Sequence, residues 1–236
     1  MKKQEIQQGL KDGVPIALGY FSVSFSFGIM AMSGGLSVFQ GALTSLTNMT
    51  SAGQFAGLQI MMAGGALAEM ALTQLIINLR YALMSLSLSQ KLSGEVSMGQ
   101  RFVIAFANTD EIFAVAMSHK KELTFSYMVG LQILPILGWT GGTACGAAAG
   151  SMLPASVNSA LSVALYGMFM AVVIPVAKKS RPVLYTVILS AVLSCALYYL
   201  PICSGISAGM SIILCTVAAA AAGAVLFPVP EEGGDA

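Results

Sequence analysis

The sequence contains few charged residues. Aspartate, glutamate, lysine and arginine together make up 9% of its 236 residues, whereas hydrophobic residues make up 56%. A soluble globular domain carries about 25% charged residues. Two long stretches, 14–68 and 123–177, contain no charge. A water-soluble fold of this length could not cover its surface with so few charges, whereas a surface that faces lipid needs none. The composition therefore indicates a membrane protein.

The sequence also lacks clusters of metal ligands and catalytic motifs. His119 is the only histidine and none of the four cysteines forms a CxxC pair, so a zinc site would have too few ligands. There is no HExxH, GxSxG or P-loop motif, which argues against an enzyme. The net charge of +1 does not indicate nucleic-acid binding. We expect no cofactor, and active transport would need an ion gradient or a separate ATPase.

Long apolar runs dominate the remaining sequence. A membrane-spanning helix needs about 20 mainly apolar residues. Six segments fit this requirement: Val14–Met32, Gln54–Ile77, Phe125–Ala149, Ala160–Ala177, Val183–Leu200 and Gly205–Phe227. Two further segments are apolar but interrupted: Leu79–Ser89 and Phe102–Met117. We predict an all-α polytopic transmembrane helical bundle with seven or eight spans, some of them interrupted or re-entrant. It would form a single domain over residues 1–236, with an N-terminal segment 1–12 and an acidic tail 228–236.

Basic residues predict the orientation, because short cytoplasmic loops are rich in lysine and arginine. They cluster before the first apolar run and after the fourth: Lys2, Lys3, Lys11, Lys178, Lys179 and Arg181. This places the N-terminus on the cytoplasmic side of a bacterial inner membrane, with Lys120 and Lys121 on the same side. The side of Lys91 and Arg101 depends on whether Phe102–Met117 crosses the membrane or re-enters.

The region from Leu36 to Gly53 is uncharged but rich in hydroxyl and amide side chains. A water-exposed loop would normally carry charge, and a lipid-facing helix would carry fewer hydroxyls. A re-entrant or broken segment that faces a protein-lined cavity explains both features. The alternative is a polar helix face that packs against other helices.

Glycine spacing predicts close helix packing. Gly138, Gly142, Gly146 and Gly150 recur every four residues, so they lie on one face of a helix and allow a neighbouring backbone to approach. A weak two-fold pattern also relates Phe27–Arg80 to the region from Leu137 through Pro154 to Arg181. Many transporters are built from such internal repeats.

Four ionisable residues lie within apolar segments: Glu69, Arg80, Asp110 and Glu111. Such residues are costly in a membrane and indicate function or pairing. Arg80 either ends a helix at the cytoplasmic surface or interrupts a membrane segment. Asp110 and Glu111 either form a water-exposed turn or lie at membrane depth, where one would hold a proton. Glu69 either forms a structural pair with Arg80 or takes part in transport. We predict Asp110, Glu111 and Glu69 as proton-coupling residues.

An amino-acid zwitterion would fit these polar positions. Its carboxylate requires arginine or free backbone N–H groups, and its ammonium group requires carbonyl or carboxylate oxygens. The predicted substrate-binding residues are polar side chains near three interruptions: Asn48, Ser51, Gln54, Asn78, Arg80 and Asn108.

Three motifs resemble the AzlC family of branched-chain amino-acid exporter large subunits. They are Ser51-Ala52-Gly53-Gln54-Phe55, Asn78-Leu79-Arg80-Tyr81-Ala82-Leu83-Met84 and Thr109-Asp110-Glu111-Ile112-Phe113. Family members often have histidine at the position of Tyr81, so a role carried by that histidine is in doubt here. The similarity covers nearly the whole chain but is mostly hydropathic in the C-terminal third.

The resemblance implies export of valine, leucine or isoleucine, driven by the proton gradient. It also implies a small AzlD-like membrane subunit as partner in a hetero-oligomer. Two other functions stay open from the residues alone. One is a passive channel or carrier for another small solute, and the other is a membrane assembly subunit that transports nothing.

Overall fold

The computed structural model describes residues 2–150, 170, 173–174, 176–203 and 205–228. Regular secondary structure in this part of the chain is helical, which confirms the all-α prediction. The helices are α1 (Lys2–Ser33), α2 (Val38–Thr47), α3 (Ala52–Met62), α4 (Leu67–Lys91), α5 (Met98–Phe106), α6 (Asp110–Ser118), α7 (Phe125–Gly150), α8 (Arg181–Tyr199) and α9 (Ala208–Leu226). Most of the predicted span Ala160–Ala177, Pro154 of the predicted repeat and most of the tail 228–236 lie outside the described residues.

Among the described residues, five helices are long and apolar enough to cross a membrane: α1, α4, α7, α8 and α9. The chain is therefore a polytopic helical membrane protein. Helix α1 begins at Lys2, well before the predicted start of the first span at Val14. The segment 1–12, expected to precede the membrane helix, is thus largely a continuation of it.

The prediction of one continuous span over Gln54–Ile77 is wrong. Helix α3 ends at Met62 and α4 begins at Leu67. The chain turns between them at Gly64, whose φ of +66° is accessible to glycine at little cost. Because the residues around this turn are apolar, the hydropathy pattern does not indicate it.

Leu79–Ser89 is correspondingly not a separate interrupted segment but part of α4. Arg80 lies near the middle of this 25-residue helix, so of the two alternatives the helix end is wrong, and Arg80 lies within an apolar segment without breaking the helix. Arginine has a high intrinsic helix propensity, and its charge does not by itself break a helix. Arg80 thus lies midway along a candidate span rather than at its end.

Contacts divide the chain into two compact units. The first comprises residues 1–58 and 78–165, and the second comprises residues 59–77 and 166–236. The first unit contains α1, α2, α5, α6 and α7, together with parts of α3 and α4. In the second unit α8 packs against α9.

Glycines bring α1 and α7 together in the first unit. A Cβ atom at Gly138 would collide with the backbone of Ala17, one at Gly142 with that of Phe21, and one at Gly146 with that of Phe25. The matching order shows that the two helices run parallel. The four-residue spacing therefore serves helix packing, as predicted.

Helices α5 and α6 form a re-entrant hairpin. Near the end of α4, Lys91 Nζ donates a hydrogen bond to the carbonyl of Met117, 2.5 Å away, at the end of α6. Arg101, near the start of α5, donates to the carbonyl of Ser89, also near the end of α4. Both ends of the hairpin therefore lie at the same end of the unit, and a nine-residue helix is only about 14 Å long.

The N-terminus lies at this same end of the first unit. Thr124 Oγ1 donates to Glu5 Oε2 over 2.9 Å, and the Tyr127 hydroxyl donates to Asp12 Oδ2 over 3.0 Å. Lys91 and the N-terminal segment therefore share one end of the unit. This is the arrangement expected if Phe102–Met117 re-enters rather than crosses.

Candidate functional site

The tip of the α5–α6 hairpin carries the candidate site. Helix α5 ends at Phe106 and α6 begins at Asp110, so the residues between them, Ala107, Asn108 and Thr109, lie outside both helices. All three are buried. Asp110 and Glu111 occupy the first turn of α6, where the helix dipole stabilises negative charge. The interruption predicted within Phe102–Met117 is confirmed.

Arg80 and Asp110 form an ion pair with 2.7 Å between Nη2 and Oδ2. Their side chains are 49% and 45% exposed, so the pair is half covered by this chain. The Arg80 guanidinium also lies over the ring of Tyr81, 5.1 Å from its centroid. Charged groups in the middle of a membrane helix face protein or water rather than lipid. The open half of this pair therefore faces water or protein rather than lipid.

The predicted structural pair between Glu69 and Arg80 is wrong. The two residues lie eleven positions apart on α4, which corresponds to about 16 Å along the helix axis. In the second unit, Glu69 Oε1 instead accepts a hydrogen bond of 2.8 Å from the backbone N–H of Gly209, in the first turn of α9. The partner of Arg80 is a residue distant in sequence, which residue spacing on α4 could not indicate.

Asn108 joins the hairpin tip to α4. Its Nδ2 donates a hydrogen bond of 3.1 Å to Ser85 Oγ. The side chain is 5% exposed, and its Oδ1 accepts no hydrogen bond from any residue that the structure describes. A buried acceptor without a partner is costly. Asn108 Oδ1, near the charged pair, is therefore suited to accept a hydrogen bond from a ligand.

Tyr20 holds the same tip from α1. Its hydroxyl makes hydrogen bonds of 2.5 Å with Thr109 Oγ1 and with Glu111 Oε2. The ring meets Trp139 of α7 edge to face, with 5.4 Å between centroids. The hairpin tip is thus fixed to α1 and, through Tyr20, to the middle of α7.

A second interruption separates α2 from α3 at residues 48–51, where Ser51 has a φ of +45°. The break predicted within Leu36–Gly53 is confirmed, whereas the cavity that it was expected to face stays a prediction. Next to it, Gln54 is 1% exposed, and both its amide oxygen and its amide nitrogen are hydrogen-bonded. It accepts a hydrogen bond of 2.9 Å from Trp139 Nε1 and donates one of 2.5 Å to Ser45 Oγ.

This hydrogen-bond chain closes on itself. Ser45 Oγ lies 2.6 Å from Thr143 Oγ1, and Thr143 donates to the carbonyl of Trp139 over 3.1 Å. Ser45, Thr143 and Trp139 are all buried. At Gln54 this pattern favours the alternative reading, in which the polar face packs against other helices.

The structure brings some of the predicted site residues together and separates others. Arg80, Asp110, Glu111 and Asn108 meet at the hairpin tip. Of the other predicted substrate-binding residues, Asn48 and Ser51 lie between α2 and α3, Gln54 lies in the first turn of α3, and Asn78 lies two positions before Arg80 on α4. In the α2–α3 interruption, Asn48 Oδ1 accepts a hydrogen bond of 2.5 Å from Thr50 Oγ1.

Tyr20 and Trp139 were not predicted from the sequence. Both lie in apolar runs, where an aromatic residue most often contributes to core packing. The signal that could have identified them is the polar group that each ring carries, because a buried hydroxyl or indole N–H generally has a hydrogen-bond partner. That reasoning identifies a need for a partner but not which residue supplies it.

This geometry, with re-entrant and interrupted helices holding charge near the middle of candidate spans, is typical of membrane transport proteins. A family model described as AzlC protein matches residues 15–153. The chain is 33% identical to an "Uncharacterized membrane protein" of Archaeoglobus fulgidus over 178 residues, which cover 74% of this chain and 77% of the relative. It is 31% identical to the "Inner membrane protein YgaZ" of Escherichia coli K12 over 171 residues, 69% of each protein. No solved structure matches. The chain belongs to the AzlC family and is a membrane transporter of the AzlC type.

Proposed function

We propose that the protein exports branched-chain amino acids across the bacterial inner membrane in exchange for protons. It would work with a small AzlD-like membrane subunit, and its N-terminus would lie in the cytoplasm. Family membership supports the class of transporter. The observation that carries the proposal is the ion pair between Arg80 and Asp110 at the hairpin tip, halfway along α4.

A zwitterionic amino acid can replace both halves of this ion pair. Arginine binds carboxylates through two parallel hydrogen bonds, so Arg80 would take the substrate carboxylate. Asp110 and the free acceptor of Asn108 would take the ammonium group. Substrate binding then replaces the Arg80–Asp110 ion pair with two ion pairs between substrate and protein. Because neither charge is left unpaired, the free energy needed to separate Arg80 from Asp110 in a membrane is limited.

Proton coupling is assigned to the acidic residues. Asp110 is paired with Arg80 and lies next to Glu111 in the first turn of α6, and the neighbouring like charge favours a proton on Asp110. Loss of Arg80 to the substrate carboxylate would favour that proton further. Glu69, which accepts a backbone hydrogen bond in the second unit, is a further proposed proton-coupling residue.

The basic end of the first unit supports the proposed orientation. Lys91, Arg101 and the N-terminal segment share one end, and basic residues accumulate on the cytoplasmic side of bacterial membrane proteins. The exposed half of the Arg80–Asp110 pair supports a partner subunit, because a second membrane protein could cover it where lipid would not.

Flux measurements in proteoliposomes test the proposal. The full chain, reconstituted with its small subunit, should move radiolabelled valine or leucine against a gradient when a pH gradient is imposed. Asp110→Asn should abolish this uphill transport, while Glu95→Gln, an acid-to-amide change in an exposed loop, should not. Flux that ignores the pH gradient would establish a passive carrier. Absence of flux with the subunit present would establish an assembly role.

A further inference from the structure

A pocket lies between α4 and α5 in the first unit. It has a volume of about 170 Å³, and its walls are mainly apolar. The inner wall is built by Leu88 and Ile104, which are 2% and 1% exposed. Ala105 and Phe102 of α5 complete the side that opens outward.

Polar groups mark the two ends of this pocket. Ser85 lines the end nearer the hairpin tip and accepts the hydrogen bond from Asn108. Arg101 closes the other end, where its guanidinium donates to the carbonyl of Ser89 over 3.3 Å. The pocket thus runs from the hairpin tip toward the basic end of the unit.

The pocket is close to the charged part of the candidate site. Ser85 lies five residues after Arg80 on α4, a separation of about 7.5 Å along the helix axis. The unpartnered Oδ1 of Asn108 belongs to the same side chain that bonds Ser85. Ser85 therefore belongs both to the pocket wall and to the hydrogen bond that holds Asn108, so the pocket adjoins the hairpin tip.

The volume limits which side chains would fit. A dry apolar cavity of about 150 Å³ holds a benzene molecule, which has six carbon atoms. The pocket of about 170 Å³ accordingly has room for the three or four carbons of a branched aliphatic side chain. The seven carbons of a phenylalanine side chain would fill it and extend toward its open side.

We propose that this α4–α5 pocket binds the aliphatic side chain of the transported amino acid, while Asn108 Oδ1 accepts a hydrogen bond from its ammonium group. The inference rests on the proposed function and adds the element that selects among amino acids. Asn108 then connects two parts of the site. One part binds the ammonium and carboxylate groups that all amino acids share, and the other, the α4–α5 pocket, selects among their side chains.

Substitutions that resize the pocket test this assignment. Binding of radiolabelled leucine to the full chain, purified with its co-purifying subunit, would be competed with alanine, leucine and phenylalanine. Ala105→Leu fills the pocket and should weaken leucine relative to alanine about 10-fold, since one methylene in a hydrophobic pocket changes discrimination by about 10-fold or more. Leu88→Ala enlarges the pocket and should strengthen phenylalanine relative to leucine by about the same factor.

Val103→Leu is the matched control, because it places the same residue on α5 at a position that is 52% exposed and outside the pocket. The ratio of affinities for two amino acids does not depend on how much of a variant folds. Unchanged ratios in Ala105→Leu and Leu88→Ala, with leucine binding retained, would overturn the pocket assignment, as expected if a lipid acyl chain occupied it. A wild-type protein that binds no amino acid would overturn the proposed function and this inference with it.

Discussion

The first unit contains two helix interruptions, α2–α3 and α5–α6. Both are short non-helical breaks, but their side chains have different roles. At the α2–α3 interruption the neighbouring side chains are neutral, and Gln54 closes a ring of hydrogen bonds with Ser45 and Trp139. At the α5–α6 interruption the neighbouring side chains are charged and half exposed, and Asn108 keeps an unpartnered acceptor. A satisfied polar network makes a core rigid, whereas an unsatisfied one stays available to a ligand.

A polar break in a membrane helix is therefore not by itself a binding site. What separates the two breaks is the hydrogen-bond balance after folding. Substitutions at the α2–α3 interruption should lower stability and leave affinity unchanged. Substitutions at the α5–α6 interruption should lower affinity and leave stability nearly unchanged.

The largest effect is expected from Arg80→Ala. The variant loses the proposed carboxylate partner of the substrate and leaves Asp110 without its counter-ion. Truncating one partner of a buried hydrogen-bonded charge pair costs about 2–5 kcal/mol in binding, so affinity for valine should fall by about 30-fold or more. Radioligand binding to the purified protein measures this loss, with rescue of cells challenged with valine-containing peptides as the companion assay.

Lys120→Ala is the control for Arg80→Ala. It removes a basic residue from the segment that links α6 to α7 and leaves the hairpin tip intact. Both variants should reach the membrane at wild-type level. If Arg80→Ala at that level still restored growth in the presence of the peptides, Arg80 would not be part of the site.

Gln54→Leu should have the next largest effect, on stability. The substitution leaves the indole N–H of Trp139 buried without an acceptor and removes the donor to Ser45. An unsatisfied buried polar group costs about 1–3 kcal/mol, so the thermal unfolding midpoint in detergent should fall clearly while valine affinity stays within about twofold.

Gln59→Leu provides the same chemical change on the same helix at an exposed position. Its unfolding midpoint should match that of the wild type. An unaltered midpoint for Gln54→Leu combined with lost valine binding would instead make the α2–α3 interruption a substrate site, as the sequence predicted.

Tyr20→Phe should have a moderate effect on transport. The variant keeps the ring contact with Trp139 but loses the hydrogen bonds to Thr109 and Glu111. A hydrogen bond to a charged group contributes about 1.5–3 kcal/mol. Uphill valine transport driven by a pH gradient should therefore fall about tenfold.

Tyr127→Phe loses a hydroxyl bond to Asp12 at the basic end of the same unit and serves as the control for Tyr20→Phe. Valine exchange without a gradient separates coupling from folding. If Tyr20→Phe lowered exchange and uphill transport equally, Tyr20 would be a general structural residue and not one that positions Glu111 for coupling.

Local chemistry explains which features the sequence could predict. The breaks near Asn48 and Asn108 were predictable because clusters of hydroxyl and amide groups disfavour a continuous lipid-facing helix. The turn at Gly64 was missed because its neighbours are apolar, and hydropathy does not record backbone angles. The partner of Arg80 was missed for another reason: Asp110 reaches it through tertiary folding, whereas spacing on one helix pointed to Glu69.

Asn48→Ala should have the smallest effect. It tests whether the α2–α3 interruption is structural while the α5–α6 interruption binds substrate. The sequence predicted a substrate-binding role for Asn48, but its Oδ1 already accepts a hydrogen bond from Thr50 within the α2–α3 interruption. A local bond of this kind contributes about 1 kcal/mol to stability, so valine affinity should change less than about twofold.

Asn108→Ala, the same substitution at the other interruption, should weaken valine binding about tenfold because it removes the free acceptor. Equal losses of affinity in the two variants would mean that both interruptions contact the substrate, and the hydrogen-bond balance would then not distinguish a structural break from a binding one.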